Sequence, residues 1–205
     1  MLKTGVTKTL SVRFLMLEGE KNLIQGAQKG DQECFGKLYD HYIPPIYRFI
    51  YMKVSEKQTA EDITHEVFLS AWQNIRKYQP QGFPLSSWLY QIARNRVIDY
   101  YRVKKHHTQI EVVENELEEI SSVEGDFDNN IAIEKIKGAL KYLTSDQQDV
   151  VLMKFMDELT HQEIAAAMKK SAGAVRLIQH RAINELRKRI NINETSIPED
   201  EVREI

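Results

Sequence analysis

The chain has 205 residues and a mass of 23.9 kDa, with 42% hydrophobic and 28% charged residues, which excludes disordered and collagen-like classes and fits one or two small globular domains. Its net charge of −2, taken as a total, argues against a nucleic-acid binder. A single cysteine, Cys34, excludes an internal disulfide framework or a thiolate metal cluster and predicts a half-buried structural thiol in a reducing cytoplasm. With only 9 glycines and 5 prolines, long stretches carry no breaker, so the expectation is a mostly helical chain.

The early apolar run from Phe14 to Leu17 is too short for a signal peptide's core, and nothing approaches a membrane span. The segment before Met16 fits no later pattern, and translation is expected to start at Met16 rather than Met1. Leu23, Ala27, Phe35, Leu38, Tyr39 and Tyr42 recur at three- and four-residue spacing with an interruption at Gly30-Asp31, which predicts two short amphipathic helices. Pro44 and Pro45 are expected to break or kink the pattern.

The string AEDITHEVFLSAW, Ala60 to Trp72, opens with Glu61 and Asp62, which suit a helix N-terminus, and carries Ile63, Val67 and Ala71 on one core stripe. Phe68, Leu69 and Trp72 widen its apolar surface beyond that stripe, so the helix is either deeply buried or docks a partner. After a Pro80–Gly82–Pro84 loop, WLYQIARNRVIDYYR, Trp88 to Arg102, resumes helical spacing with Leu89, Ile92, Ala93, Val97 and Tyr100 inside. Arg94, Asn95, Asp99, Arg102, Lys104 and Lys105 need not be inside, and cations, an amide and interleaved aromatic rings are what single-stranded DNA requires.

The charge is distributed in blocks. Tyr90 to His107 holds five cations against one carboxylate, Thr108 to Glu134 holds nine carboxylates and no Lys or Arg, Lys169 to Arg189 holds seven cations against one carboxylate, and the tail is acidic again. Two basic modules joined by an acidic linker are the simplest reading.

In the second module Ile133, Ile136, Leu140 and Leu143 predict one inward-facing helix, and Ser145 is the expected cap of the next, which contains Val150, Val151, Met153 and Phe155. Thr160 and Glu163 form a capping box for a helix running to Met168. After the Lys169-Lys170-Ser171 turn, a long basic helix buries Val175, Ile178, Ala182 and Leu186. Short helix, turn and basic helix together fit a helix-turn-helix whose second member enters the major groove.

In these strings and their order the chain resembles the extracytoplasmic-function (ECF) sigma factors, from about Leu23 to Arg189: AEDITHEVFLSAW and WLYQIARNRVIDYYR first, LTHQEIAAAM and SAGAVRLIQHRAINELRK after the acidic stretch. The resemblance implies an all-α chain of two small helical domains joined by a flexible acidic linker. Its expected divisions are an N-terminal extension at 1–20, a sigma-two domain at 21–107, a linker at 108–130, a sigma-four domain at 131–190 and an acidic tail at 191–205. It further implies a promoter-specificity subunit that binds core RNA polymerase and promoter DNA, with an anti-sigma factor as a family expectation. The implied polymerase contacts are Asp62, Glu66, Phe68, Leu69 and Trp72.

The implied minus-ten contacts are Arg94, Asn95, Arg96 and Arg102. In the second domain Arg176, Gln179 and His180 are candidates for base edges, and Lys170, Ser171 and Arg181 for phosphates. Relatives often carry a basic residue where Ile178 stands; here Ile178 faces inward and the read-out falls to its neighbours. No covalent chemistry, cofactor, metal, small-molecule substrate or membrane insertion is expected. The linker's carboxylates are expected to compete with phosphate for the basic faces, so the isolated chain should bind DNA weakly. The contrasting reading is a plain helix-turn-helix regulator with a sensing or dimerising first half. A hydrolase is disfavoured because the six histidines form no H-E-x-x-H pair and no G-x-S-x-G or Walker string is present.

Overall fold

The computed structural model describes the backbone of residues 17, 19–80, 82–110 and 127–195, and among these there are helices and no strand. The first domain comprises α1 (Glu20–Gln28), α2 (Gln32–Val54), α3 (Lys57–Asn74), a 3₁₀ turn at Ile75–Lys77 and α4 (Leu85–Ile110). The second comprises α5 (Phe127–Leu140), α6 (Ser145–Phe155), α7 (His161–Met168) and α8 (Ala172–Thr195). The expected linker at 108–130 falls largely on undescribed residues, but its ends are helical: α4 runs to Ile110 and α5 begins at Phe127.

Asp31 separates α1 from α2 by capping the second helix: its Oδ1 accepts from the backbone N–H of Glu33 at 2.9 Å and of Cys34 at 3.2 Å. Helix α2 is not short, and the Pro44-Pro45 pair does not end it. Two prolines delete two i→i−4 hydrogen bonds; burial of Tyr42, Pro45, Ile46, Phe49 and Ile50 on either side holds the helical path through them. Helix α3 starts at Lys57, three residues before the expected string, so Glu61 and Asp62 sit beyond its first turn. Cys34 is half-buried, as its neighbourhood in sequence suggested, and lies where α2 passes Gly26 of α1 so closely that a Cβ on Gly26 would overlap its Sγ.

Glu20, expected in an extension outside the domain, is buried in it. Its Oε1 accepts from the Leu85 backbone N–H at 3.2 Å and from the Tyr42 hydroxyl, placing a carboxylate at the N-terminus of α4. The core of this domain includes Leu38, Ile46, Phe49, Leu85, Leu89 and Tyr90, with Phe49 and Tyr90 edge to face at 5.3 Å. Each such side chain contributes about 1.5–3 kcal/mol by leaving water.

In the second domain α6 and α7 both pack on α8 around Leu152, Met153, Leu159, Ile164, Val175 and Ala182. The cap of α6 is Thr144, not Ser145, in a reciprocal box with Gln147. The Thr160–Glu163 box stands as expected, with hydrogen bonds of 2.6 and 3.2 Å. Ile136 is exposed rather than inward, Phe155 is exposed at the end of α6, and on α5 Lys137 is buried as well as Leu140.

Candidate nucleic-acid interface

Helix α3 divides its residues between core and surface. Ile63, Val67 and Ala71 face in, as does Phe68, whose ring meets Tyr39 edge-on at 4.8 Å. Phe68 is therefore a core residue and not part of an accessible partner face. Trp72 is half-buried against Phe35, with centroids 4.8 Å apart. Leu69, 49% exposed, lies on the outer side with Asp62 and Glu66, both exposed. An exposed leucine beside carboxylates on one helix face has the make-up of an apolar anchor inside a polar rim.

On α4, Ala93 and Val97 point into the core, whereas Asn95 and Arg102 point out. Arg96 lies 3.5 Å from Glu66, so the two candidate faces meet at that pair, and Arg102 lies 3.1 Å from Asp99. Tyr101 donates its hydroxyl to the Lys53 carbonyl at 2.6 Å, and Lys104 sits over the Tyr100 ring at 5.9 Å. Beside the N-terminal half of α4 a pocket of about 370 Å³ is lined by Lys77, Tyr78, Phe83, Ser87, Trp88 and Gln91. The Tyr78 and Trp88 rings lie 4.8 Å apart at 36°. Burial, with Glu20 adding to it, pushes the Tyr78 phenol up to about 12, so it stays a neutral donor at physiological pH. The Ser87 hydroxyl is buried without a hydrogen-bond partner among the described residues. Aromatic faces, an ammonium and an unsatisfied hydroxyl suit an unstacked base.

In the helix-turn-helix, Lys169 takes the left-handed conformation (φ 53°) that ends α7, and the Ser171 hydroxyl accepts from the Ala174 N–H at 3.1 Å. That hydroxyl caps α8. Arg176, His180 and Arg181 are exposed along α8. Gln179 is half-buried and hydrogen-bonds His161 Nε2 at 2.5 Å, which ties a candidate base reader to the preceding helix. Ile178 packs on the core. Among the described residues no group of His, Cys, Asp and Glu could hold a metal ion, and no helix is long and apolar enough to cross a membrane.

Residues 38–107 match the Sigma-70 region 2 family and residues 139–188 the Sigma-70 region 4 family. The chain is 32% identical over 185 residues to the ECF RNA polymerase sigma factor SigW of Bacillus subtilis, covering 83% of this chain and 96% of that one. It belongs to the ECF RNA polymerase sigma factors.

It is also 36% identical over 169 residues to the ECF RNA polymerase sigma factor BldN of Streptomyces coelicolor, a match that takes in 80% of this chain and 63% of BldN's length. Among solved structures, CnrH in complex with the cytosolic domain of CnrY shares the fold at a TM-score of 0.67 and 18% identity, over 85% of this chain and 98% of that one. As a sigma factor the chain is a transcription initiation factor that works with RNA polymerase.

The sigma factor's two domains are packed together, α7 against α4 and α6 against α2. Asp149 of α6, 0% exposed, is the centre of the contact: Lys53 of α2 bonds its Oδ1, and Arg94 Nε donates to its Oδ2 at 2.7 Å. Arg94 Nη2 also donates to Asp146 Oδ1 at 2.6 Å, and Lys170 lies 3.1 Å from Asp146 Oδ2. Arg48 donates to Asp157 at 2.9 Å, and Lys137 of α5 sits 4.0 Å from the Tyr51 ring centroid. Arg94, expected to meet DNA, is thus turned into the domain contact, and Ala166 and Lys169 of the second domain complete the wall of the aromatic pocket.

None of Arg48, Lys53, Asp146, Asp149 or Asp157 stood among the expected site residues. One signal was legible: Asp149 occupies an apolar stripe with Val150, Leu152 and Met153, and a carboxylate in such a position needs a buried cation.

Proposed function

We propose that the chain directs promoter-specific initiation by docking on core RNA polymerase through the α3 face and reading DNA with α4 and α8. Leu69 is the apolar anchor of the polymerase contact, with Asp62 and Glu66 at its rim and Trp72 supporting from beneath. Asn95, Arg94, Arg96 and Arg102 engage the opened minus-ten strand, and the Tyr78–Trp88 pocket receives an unstacked base. Arg176, Gln179 and His180 read base edges of the minus-thirty-five duplex while Lys170 and Arg181 hold phosphates. The Ser171 hydroxyl contributes through the cap of α8, which presents those readers.

No bond is made or broken in this role; it is binding coupled to strand separation. An unstacked base costs a few kcal/mol, and stacking and polar contacts offset it. The role belongs in the cytoplasm, where polymerase and DNA are. A sigma factor of Bartonella quintana, RpoE, was solved bound to the anti-sigma factor NepR and shares this fold at a TM-score of 0.63 and 21% identity; a protein of that class is the expected antagonist here.

The observation that carries this reading is the outward Leu69 on one face of α3 with the exposed carboxylates of Asp62 and Glu66. Run-off transcription with core polymerase on genomic DNA is expected to give discrete start sites. Leu69→Asp should weaken polymerase binding tenfold or more, about 1.4 kcal/mol or above, with helical circular dichroism unchanged. Asn95→Ala should leave polymerase binding intact and lower run-off product. Undiminished transcription by Leu69→Asp would contradict the assignment, and a plain helix-turn-helix regulator would show no polymerase binding in any variant.

A further inference from the structure

We propose that Leu177 is a base-reading residue of the sigma factor: its side chain receives the C5-methyl group of a thymine in the major groove, between the cations that hold the duplex. The proposal deepens the assignment of α8 as the reader of the minus-thirty-five element and rests on it.

Leu177 stands at the centre of the outward face of α8. Val175 and Ala182 are fully buried on the opposite side, and helical geometry puts Leu177 about 160° and about 140° around the axis from them. It is 50% exposed, an aliphatic side chain with half its surface in water. Gly173, one turn earlier on the same face, adds no side chain, so the start of α8 can approach a groove floor closely. Gln179 is half-buried and engaged by His161, which leaves the middle of the exposed face to the leucine.

The surroundings of Leu177 select the kind of partner. Arg176, His180 and Arg181 are exposed around it, and Lys188 lies further along the same face with its side chain 70% exposed. A protein interface centred on a leucine is depleted of charge at its core, whereas a leucine ringed by cations matches an anionic duplex. Within the major groove the apolar group on offer is the thymine methyl. Cytosine in its place lacks the methyl and presents an amino group that a leucine leaves unpaired, so the contact discriminates as well as binds. One methyl group leaving water corresponds to about fourfold in affinity.

The test uses holoenzyme assembled from the full chain and core RNA polymerase, on duplexes carrying a promoter identified by run-off transcription. Each thymine of the minus-thirty-five element is replaced in turn by deoxyuridine, which removes only the methyl, and affinity is read by competition in a gel-shift assay. The expected result is one position where deoxyuridine weakens binding about fourfold for the unsubstituted protein and not for Leu177→Ala. Leu177→Ala itself should bind the thymine promoter more weakly by about the same factor, with helical circular dichroism unchanged because alanine favours an exposed helical position. A deoxyuridine loss of equal size in both proteins, or none at any thymine, overturns the role of Leu177. Weakened assembly of Leu177→Ala with core polymerase in the absence of DNA assigns the leucine to a protein contact and overturns it as well. Arg176→Ala is scored alongside. If it weakens promoter binding while the leucine readings are negative, α8 still reads DNA and only the leucine's role falls; if neither variant changes binding, the assignment of α8 falls too.

Discussion

Glu20 shows how much one side chain can organise. It is buried at the start of α1, yet its partners are the Tyr42 hydroxyl on α2 and the first amide of α4, so it fastens three helices. Glu20→Ala strips the acceptor from two buried donors and should lower stability by about 2–4 kcal/mol, read as the midpoint of urea unfolding. Glu20→Gln retains an acceptor and should lose less. Nothing around Glu20 in the sequence marks it, because its partners are 22 and 65 residues away. Cys34 was more legible: a lone thiol in a helical pattern suggests packing, and the near-overlap with Gly26 gives the reason for a glycine there. Phe68 and Leu69 were indistinguishable as letters, and only the rotation of α3 assigned one to the core and the other to solvent.

Helix ends were readable where their chemistry is local. The T-x-x-E box at Thr160 is legible from spacing alone, whereas the cap at Thr144, next to an equally suitable Ser145, is told only by its reciprocal bonds with Gln147. Thr144→Ala and Thr160→Ala should each lower stability by about 1 kcal/mol, a fall of a few degrees in Tm by differential scanning calorimetry. The Thr160 change also reaches α8, because α7 carries His161, which holds Gln179. The misreading of α2 came from the opposite cause: a proline penalty is a local expectation, and burial on both sides of Pro44-Pro45 overrides it.

At the scale of the molecule, the blocks of charge mark two basic segments, on α4 and α8, but not what faces them. The linker carboxylates expected to face those cations lie largely outside the described residues; the carboxylates that hold Arg94 are Asp146 and Asp149, inside the second domain. A pattern along the chain has no way to display a contact that only docking creates. Closure carries a pH signature. Burial tends to raise the Asp146 carboxyl, but hydrogen bonds from Lys170 and Arg94 outweigh it and hold the group below its usual range. Its contribution to closure is therefore complete at neutral pH and lost as pH falls through that depressed value. Asp157 has the opposite sign: burial raises it despite Arg48, so its contribution is greatest in acid and declines as pH rises through the raised value. Small-angle X-ray scattering should show the two domains separating at the acid end while the helical circular dichroism persists, and Asp146→Asn should flatten that part of the profile.

Asp146 has one further consequence, because its two oxygens serve different masters. One holds Arg94 of α4 and the other holds Lys170 in the turn before α8, so the carboxylate separates two cations that would otherwise repel, and a variant lacking it should leave like charges facing each other across the domain contact.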